Sequence, residues 1–162
     1  MAFVKADFCD YRGPKADVII AIESFVCVAD AEKFWCSVNE NLNPGGYLVV
    51  FEDFEIDDPD QPQEAAMLIE RFRRHWRLPS VIPSSQFIAR SDKHGLHCVH
   101  QQSLTDYIKL RRPRDRFIHA LLPLLRLWPW RSAFVDNMVG GDALQSCLLK
   151  KYLDHRFILL QK

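Results

Sequence analysis

The sequence predicts an α/β fold built on a parallel strand–helix–strand unit, and three features of residues 17–53 predict it. Val18, Ile19, Ile20, Ala21 and Ile22 form a continuous apolar run rich in β-branched side chains, the pattern of a strand covered by helices on both faces. Ala31, Phe34, Trp35, Val38 and Leu42 recur at helical spacing and make one apolar stripe. Asn43-Pro44-Gly45-Gly46 then stops the helix and leads into a second apolar run, residues 47–51. A strand, a crossover helix and a strand in that order form a right-handed unit with parallel strands.

The other elements follow in chain order. Residues 2–7 read as a short first strand, with a turn at Gly13-Pro14. Asp30 is placed to cap the first helix, and Glu32 lies in its first turn, where the helix dipole favours a negative charge. Gly45 and Gly46 supply the positive φ that the turn requires. Residues 55–63 are an acidic, proline-containing loop. Residues 63–76 read as a helix with Ala66, Ile69, Phe72 and Trp76 on one face and Arg71, Arg73 and Arg74 off it. Residues 78–84 contain two prolines and are irregular. Ser84 is expected to cap a helix over 85–94 that Gly95 ends. A strand over 96–101, an apolar helix over 115–127 broken at Trp128-Pro129-Trp130, a helix over 141–152 and a last strand over 155–161 complete an α/β pattern.

Composition narrows the function classes. At 162 residues and 48% apolar content, one domain with a sizeable core is expected. The net charge is zero but unevenly placed: residues 1–64 carry 14 acids and 4 bases, residues 65–162 carry 7 and 17. The plain reading is solvated faces of opposite sign, and the two halves attract when folded. A nucleic-acid site would want a broad basic face with interleaved aromatics, which the neutral total does not supply. The five cysteines, Cys9, Cys27, Cys36, Cys98 and Cys147, form no CxxC pair, which argues for reduced thiols and a cytoplasmic location. No signal peptide is apparent, and Pro123, Arg126, Pro129 and Arg131 interrupt the apolar stretch 117–135, so no membrane span is expected. His94, His97 and His100 alternate faces on a strand and suit a metal poorly. Arg111, Arg112, Arg114 and Arg116 are candidates for a phosphate or a carboxylate-bearing substrate.

Five segments in order, FVKADF, DVIIAIES, LNPGGYLVVFED, HGLHCVHQQSLTDYI and YLDHRFILLQK, carry a resemblance over almost the whole chain. They resemble the third to seventh strands of class I S-adenosylmethionine-dependent methyltransferases. HWRLPS, LRRPRD and GGDAL look nearest the small-molecule C- and O-methyltransferases related to the cyclopropane-synthase and sterol groups. The resemblance implies an incomplete Rossmann-like sheet with a helical substrate lid, S-adenosylmethionine as cofactor and a small-molecule acceptor. Residues 1–54 would be core, 55–95 and 103–140 lid, and 141–162 the terminal helix and strand. Asp7 and Phe8 fall where such enzymes hold the adenine; the plain alternative for Asp7 is a turn residue. Ile22 and Glu23 fall at the carboxyl end of the fourth strand, beside the crevice where α/β sheets bind ligands. For Glu23 a helix-capping or salt-bridged carboxylate is the alternative. Cys27, Trp76 and Tyr107 are the acceptor-side candidates, with Trp128 and Trp130 near them; core or lid packing is the alternative for each aromatic.

The departures from the family pattern are substantial. Glu23-Ser24-Phe25-Val26-Cys27 puts a cysteine where the related enzymes carry the histidine of Glu-x-x-x-His, and Val26 where cyclopropane synthases carry an acid. Cys27 is a nucleophile only if a cation or a helix N-terminus lowers its pKa; a buried structural thiol is the preferred reading. No G-x-G loop occurs anywhere in the chain, although the family binds the cofactor's methionine segment with one. Because the family's first and second strands lie between its third and fourth, the 17–23 strand is expected to have an open, strongly apolar edge. That edge is expected to pair with residues 2–7, a second copy of the chain, or a complementing chain. The expectation is therefore methyl transfer to a small molecule, with a non-catalytic remnant or half of a split enzyme as the alternative, and an unrelated α/β binding domain as the third reading.

Overall fold

The computed structural model describes residues 3–125 and 132–162. Four strands, β1 (Ala16–Ile22), β2 (Leu42–Glu55), β3 (His97–Ser103) and β4 (Leu153–Gln161), form one sheet in the order β1-β2-β4-β3. The central expectation holds: β1 runs parallel to β2 with Val18 opposite Tyr47 and Ile22 opposite Phe51. Beyond it β4 is antiparallel to β2, and β3 to β4. Helices α1 (Ala31–Asn41), α2 (Gln63–Trp76), α3 (Ser84–Lys93), α4 (Pro113–Leu125) and α5 (Ala133–Leu149) complete the α/β fold. Asp30 Oδ1 accepts the Lys33 N–H at 3.1 Å and starts α1. Gly45 takes φ +77°, which lets its N–H reach the Lys162 carbonyl at 2.9 Å.

Two apolar clusters result. Trp35 and Phe34 of α1 pack with Phe25, Phe54 and Phe87 against one face of the sheet. Their rings meet at centroid distances of 4.8 to 6.1 Å, in tilted and edge-on arrangements that add to burial. At the carboxyl end of β2, Leu68 and Phe72 of α2 meet Ala143 and Cys147 of α5 and Leu153 of β4.

Several expectations are corrected. Residues 3–7 form no strand, because no neighbouring ladder is available to them; instead the Asp7 carboxylate accepts the Cys9 N–H at 2.9 Å and opens a 3-10 turn over Phe8–Asp10. Ser37 Oγ then donates to the Phe8 carbonyl at 2.6 Å, tying this segment to α1. β1 is not covered on both faces: Ile19 and Ala21 turn toward α1, while Val18, Ile20 and Ile22 are 49%, 62% and 63% exposed. The buried side of α2 is Ala65, Leu68, Ile69 and Phe72, and Ala66 faces out. Ser84 is the first residue of α3 rather than its cap. The Trp128-Pro129-Trp130 break lies outside the described residues. Among those residues, no helix is long and apolar enough to cross a membrane.

The largest correction is α5, which begins at Ala133 and not at Gly141. The Gly140-Gly141 pair does not break it, because packing against α2 outweighs helix propensity. A Cβ at Gly140 would lie 2.3 Å from Trp76 Cδ1, whereas one at Gly141 would meet Trp76 at 3.7 Å. The two glycines should therefore differ in sign. Gly140→Ala is expected to lower the unfolding free energy by about 1–2 kcal/mol, overpacking outweighing the propensity gain. Gly141→Ala is expected to be neutral or stabilising. Urea unfolding curves compare the two, and equal effects would refute this account of the helix contact.

Candidate binding cleft at the carboxyl ends of β1 and β2

After β1 the chain must turn sharply to reach α1, and Glu23 makes the turn in a left-handed conformation, φ 45°. A 3-10 turn over Phe25–Cys27 follows. It is held by Glu52 of β2, whose Oε2 accepts the N–H groups of Phe25 and Val26 at 2.8 and 3.2 Å. Ser80, before α3, adds a second tie: its N–H reaches the Val26 carbonyl at 3.1 Å and its Oγ the Val28 carbonyl at 2.5 Å. Glu52 is fully buried. Burial pushes its carboxyl up to about 7; the Val26 and Phe25 N–H groups act in the opposite direction, and neighbouring Asp53 adds to the rise. Asp53 accepts from His155 Nδ1 at 2.8 Å. That bond holds the imidazole above its ordinary value against its own desolvation, with smaller help from the Glu23 and Glu52 charges.

Two cavities flank this turn. One, about 530 Å³, lies between the start of the chain and α1 and is lined by Asp7, Phe8, Ile19, Ile20, Ala21, Asp30 and Phe34 among others. The other, about 500 Å³, lies toward α2 and α5 and is lined by Glu23, Glu52, Asp53, Phe72, His75, Trp76, Arg77 and Asp136. Cys27 lines both. A smaller cavity of about 290 Å³ shares Glu23 and Asp53 and adds His155, Arg112 and Arg114.

The structure thus brings together Asp7 and Phe8 on one side, Glu23 and Trp76 on the other, and Cys27 between. Ile22 lies outside these cavities, on the open side of β1. Tyr107 lies outside them too, 76% exposed on a 3-10 turn after β3. Cys27 is exposed rather than buried. Partial desolvation, then the charges of Glu52 and Glu23, push its thiol up, so it is not an activated nucleophile. Arg111 is held by Asp142 Oδ1 at 2.5 Å and Ser146 Oγ at 2.7 Å, which removes it from the proposed anion cluster. His94 pairs with Glu32 at 3.1 Å and His97 with Asp92 at 3.2 Å.

Glu52, Asp53 and His155 also line these cavities, and the sequence does not single them out. Their available signal was two consecutive acids inside an otherwise apolar strand, Phe51-Glu52-Asp53-Phe54, since unpaired buried carboxylates are rare.

No family model matches the chain, and no curated protein does. Solved structures do. A Galdieria sulphuraria protein provisionally assigned as a sarcosine dimethylglycine methyltransferase superimposes with a TM-score of 0.68 at 15% identity, over 97% of this chain and 57% of that one. The O-methyltransferase of a Brevibacillus brevis trans-AT PKS multienzyme, solved with S-adenosyl-L-homocysteine, gives 0.66 at 13% over 98% and 48%. The geranyl diphosphate C-methyltransferase of Streptomyces coelicolor A3(2), solved with Mg2+, geranyl diphosphate and S-adenosyl-L-homocysteine, gives 0.65 at 13% over 96% and 51%. The chain has the class I methyltransferase fold, and it spans about half the length of these solved chains.

The raised carboxyl of Glu52 has a thermodynamic signature. Folded, it binds its proton more tightly than unfolded, so its contribution to stability is present below its ordinary value of 4.5 and is lost as pH rises to about 7. His155, also raised, acts in the same direction: its contribution is complete below 6.5 and falls as pH climbs through its folded value. Denaturant unfolding of wild type and Glu52→Gln between about pH 5 and 8 should show their difference shrink by on the order of 3 kcal/mol in favour of the variant. A difference that does not change with pH would contradict the burial assigned to this carboxyl.

Proposed function

We propose that the chain carries the adenine-side and acceptor-side walls of an S-adenosylmethionine-dependent methyltransferase acting on a small molecule. The observation that carries the proposal is the pair of cavities meeting at Cys27, at the carboxyl ends of two parallel strands, where open α/β sheets bind their ligands. The residues present fit the adenine end of the cofactor. Asp7 offers a carboxylate to an exocyclic amine, and Phe8, Ile19 and Ala21 offer apolar walls to a purine. They fit the methionine end less fully, since the chain contains no G-x-G turn. When bound, this cofactor supplies an electrophilic methyl group on a sulfonium sulfur.

The side chains have separate duties in this reading. Trp76 and Phe72 would hold the acceptor and exclude water, which is where proximity and alignment contribute most of the acceleration. The Asp53–His155 pair would store or release a proton beside Glu23. The described helices within 55–95 and 103–140 would cover the acceptor. Five unpaired thiols support a cytoplasmic setting. Isothermal titration with S-adenosylmethionine should give a Kd tighter than about 100 µM, with Asp7→Asn weakening it about ten-fold. Absence of binding heat would refute the reading.

A second reading, an association module or half of a split enzyme, is favoured by one observation: the open edge and bare apolar face of β1. Val18, Ile20 and Ile22, with Tyr47 beside them, form a row of exposed apolar side chains on one face of the sheet, the kind of surface that marks a contact site. Covering the exposed half or so of each of these aliphatic side chains would contribute about 1 kcal/mol. Sedimentation velocity should show self-association with rising concentration, and Ile20→Lys should abolish it. A wild-type monomer at all concentrations would argue against a second copy as the cover.

A further inference from the structure

The cavity of about 290 Å³ beside Asp53 and His155 holds two cations that methyl transfer leaves unused. Its wall is built from the neighbouring ends of β2 and β4, the 108–112 segment that leads into α4, and one side of α5. Its charges sort by partner. Asp53 is taken by His155 at 2.8 Å, and Asp115 by the Arg114 guanidinium and the Arg112 N–H, each at 3.1 Å. The Lys109 ammonium and the Arg112 guanidinium are exposed, and neither makes an ion pair among the described residues. Glu23, exposed as well, is the unpaired acid on this wall.

The balance of these groups indicates what the cavity can hold. The Asp53–His155 and Asp115–Arg114 pairs cancel internally; the Asp53 bond, which holds the imidazole above its ordinary value, favours the charged form that makes the first pair neutral. Two free cations then face one free acid, a surplus of a single positive charge, which suits a monoanion. Arg112 offers a planar fork of N–H donors that matches a carboxylate, and Lys109 a second, mobile charge. His155 Nε2 has no partner among the described residues and is a further donor. Leu110, Leu144 and Leu148 line the rest of the wall, a surface for hydrocarbon rather than for a bare inorganic ion. The volume is at the small end of the range for organic ligands.

We propose that this cavity binds a small organic acid, with Arg112 and Lys109 taking its carboxylate and Leu110, Leu144 and Leu148 covering its hydrocarbon body. The proposal deepens the acceptor reading above and rests on it for the reaction. Glu23 and Asp53 belong both to this cavity and to the larger one at Trp76, so an acceptor anchored here by its carboxylate extends its other end toward Trp76. The binding itself requires no cofactor. Arg116 is the internal contrast: it is an exposed arginine close in sequence, but it does not line this cavity, and its Nε donates to the Arg111 carbonyl at 3.0 Å.

The test uses benzoate as the probe, with benzamide as the neutral control of the same shape and phenyl phosphate as the more highly charged one, each titrated calorimetrically into the full chain without cofactor. At about pH 7, benzoate is expected to bind wild type with a Kd of about 1 mM or tighter, at least about ten-fold more tightly than benzamide and no more weakly than phenyl phosphate. Arg112→Gln is expected to weaken benzoate at least about ten-fold, and Arg116→Gln to leave it unchanged. No measurable benzoate binding, equal affinity for benzamide, tighter binding of phenyl phosphate, or equal losses in the two variants overturns the proposal. The first three outcomes are read on wild type, whether or not a variant folds. S-adenosylmethionine is titrated separately. Cofactor binding without a carboxylate preference refutes only this proposal, and a carboxylate preference without cofactor binding refutes only the methyl-transfer reading.

Discussion

A single carboxylate ties the end of β1's loop to the middle of the sheet. Glu52 Oε2 accepts two consecutive N–H groups that would otherwise be buried without partners at the start of a 3-10 turn. That contact brings Phe25 into the aromatic cluster with Phe34, Trp35 and Phe87, and it leaves Cys27 between the two cavities. Ser80 fastens the same turn from the other side. The geometry of the cleft therefore depends less on either cavity wall than on one buried acid in β2 and the left-handed residue that precedes the turn.

The sheet itself is one-sided. α1 and α3 protect the face where Leu48, Val50 and Phe54 are buried, while the opposite face carries the outward residues of β1. Apolar β-branched side chains on both faces of a strand suit a sheet sandwiched between two layers. Among the described residues no second layer covers β1, and α2 and α5 pack beyond the carboxyl end of β2 instead. Long-range charge complementarity nonetheless operates within the chain: Lys150 pairs with Glu64, and His155 with Asp53, acids of the first part meeting bases of the second.

How much of this was legible follows from the range of each interaction. The parallel pairing of β1 and β2 was legible because β-branched runs, an Asp cap and Pro-Gly-Gly act locally. Residues 3–7 were not, because a strand is defined by a neighbour and a lone extended segment has no ladder to join. The start of α5 is not legible locally, because Gly140 serves the indole of Trp76 across the helix interface rather than its own backbone. Of the residues singled out by position and type, Glu23, Cys27 and Trp76 line one cavity, and Asp7 and Phe8 line the other together with Cys27. Tyr107 was not separable from Trp76 by sequence, since nothing local says which aromatic faces inward. The Asp53–His155 pair joins residues 102 positions apart, a contact that only the completed sheet creates.

Cys27 belongs to the walls of both larger cavities, and Glu23 to two neighbouring ones. Any coupling that this shared wall carries between occupants of the two compartments is reciprocal. Whatever factor a guest on the Asp7 side imposes on affinity at the Trp76 side, a guest at Trp76 must impose in return.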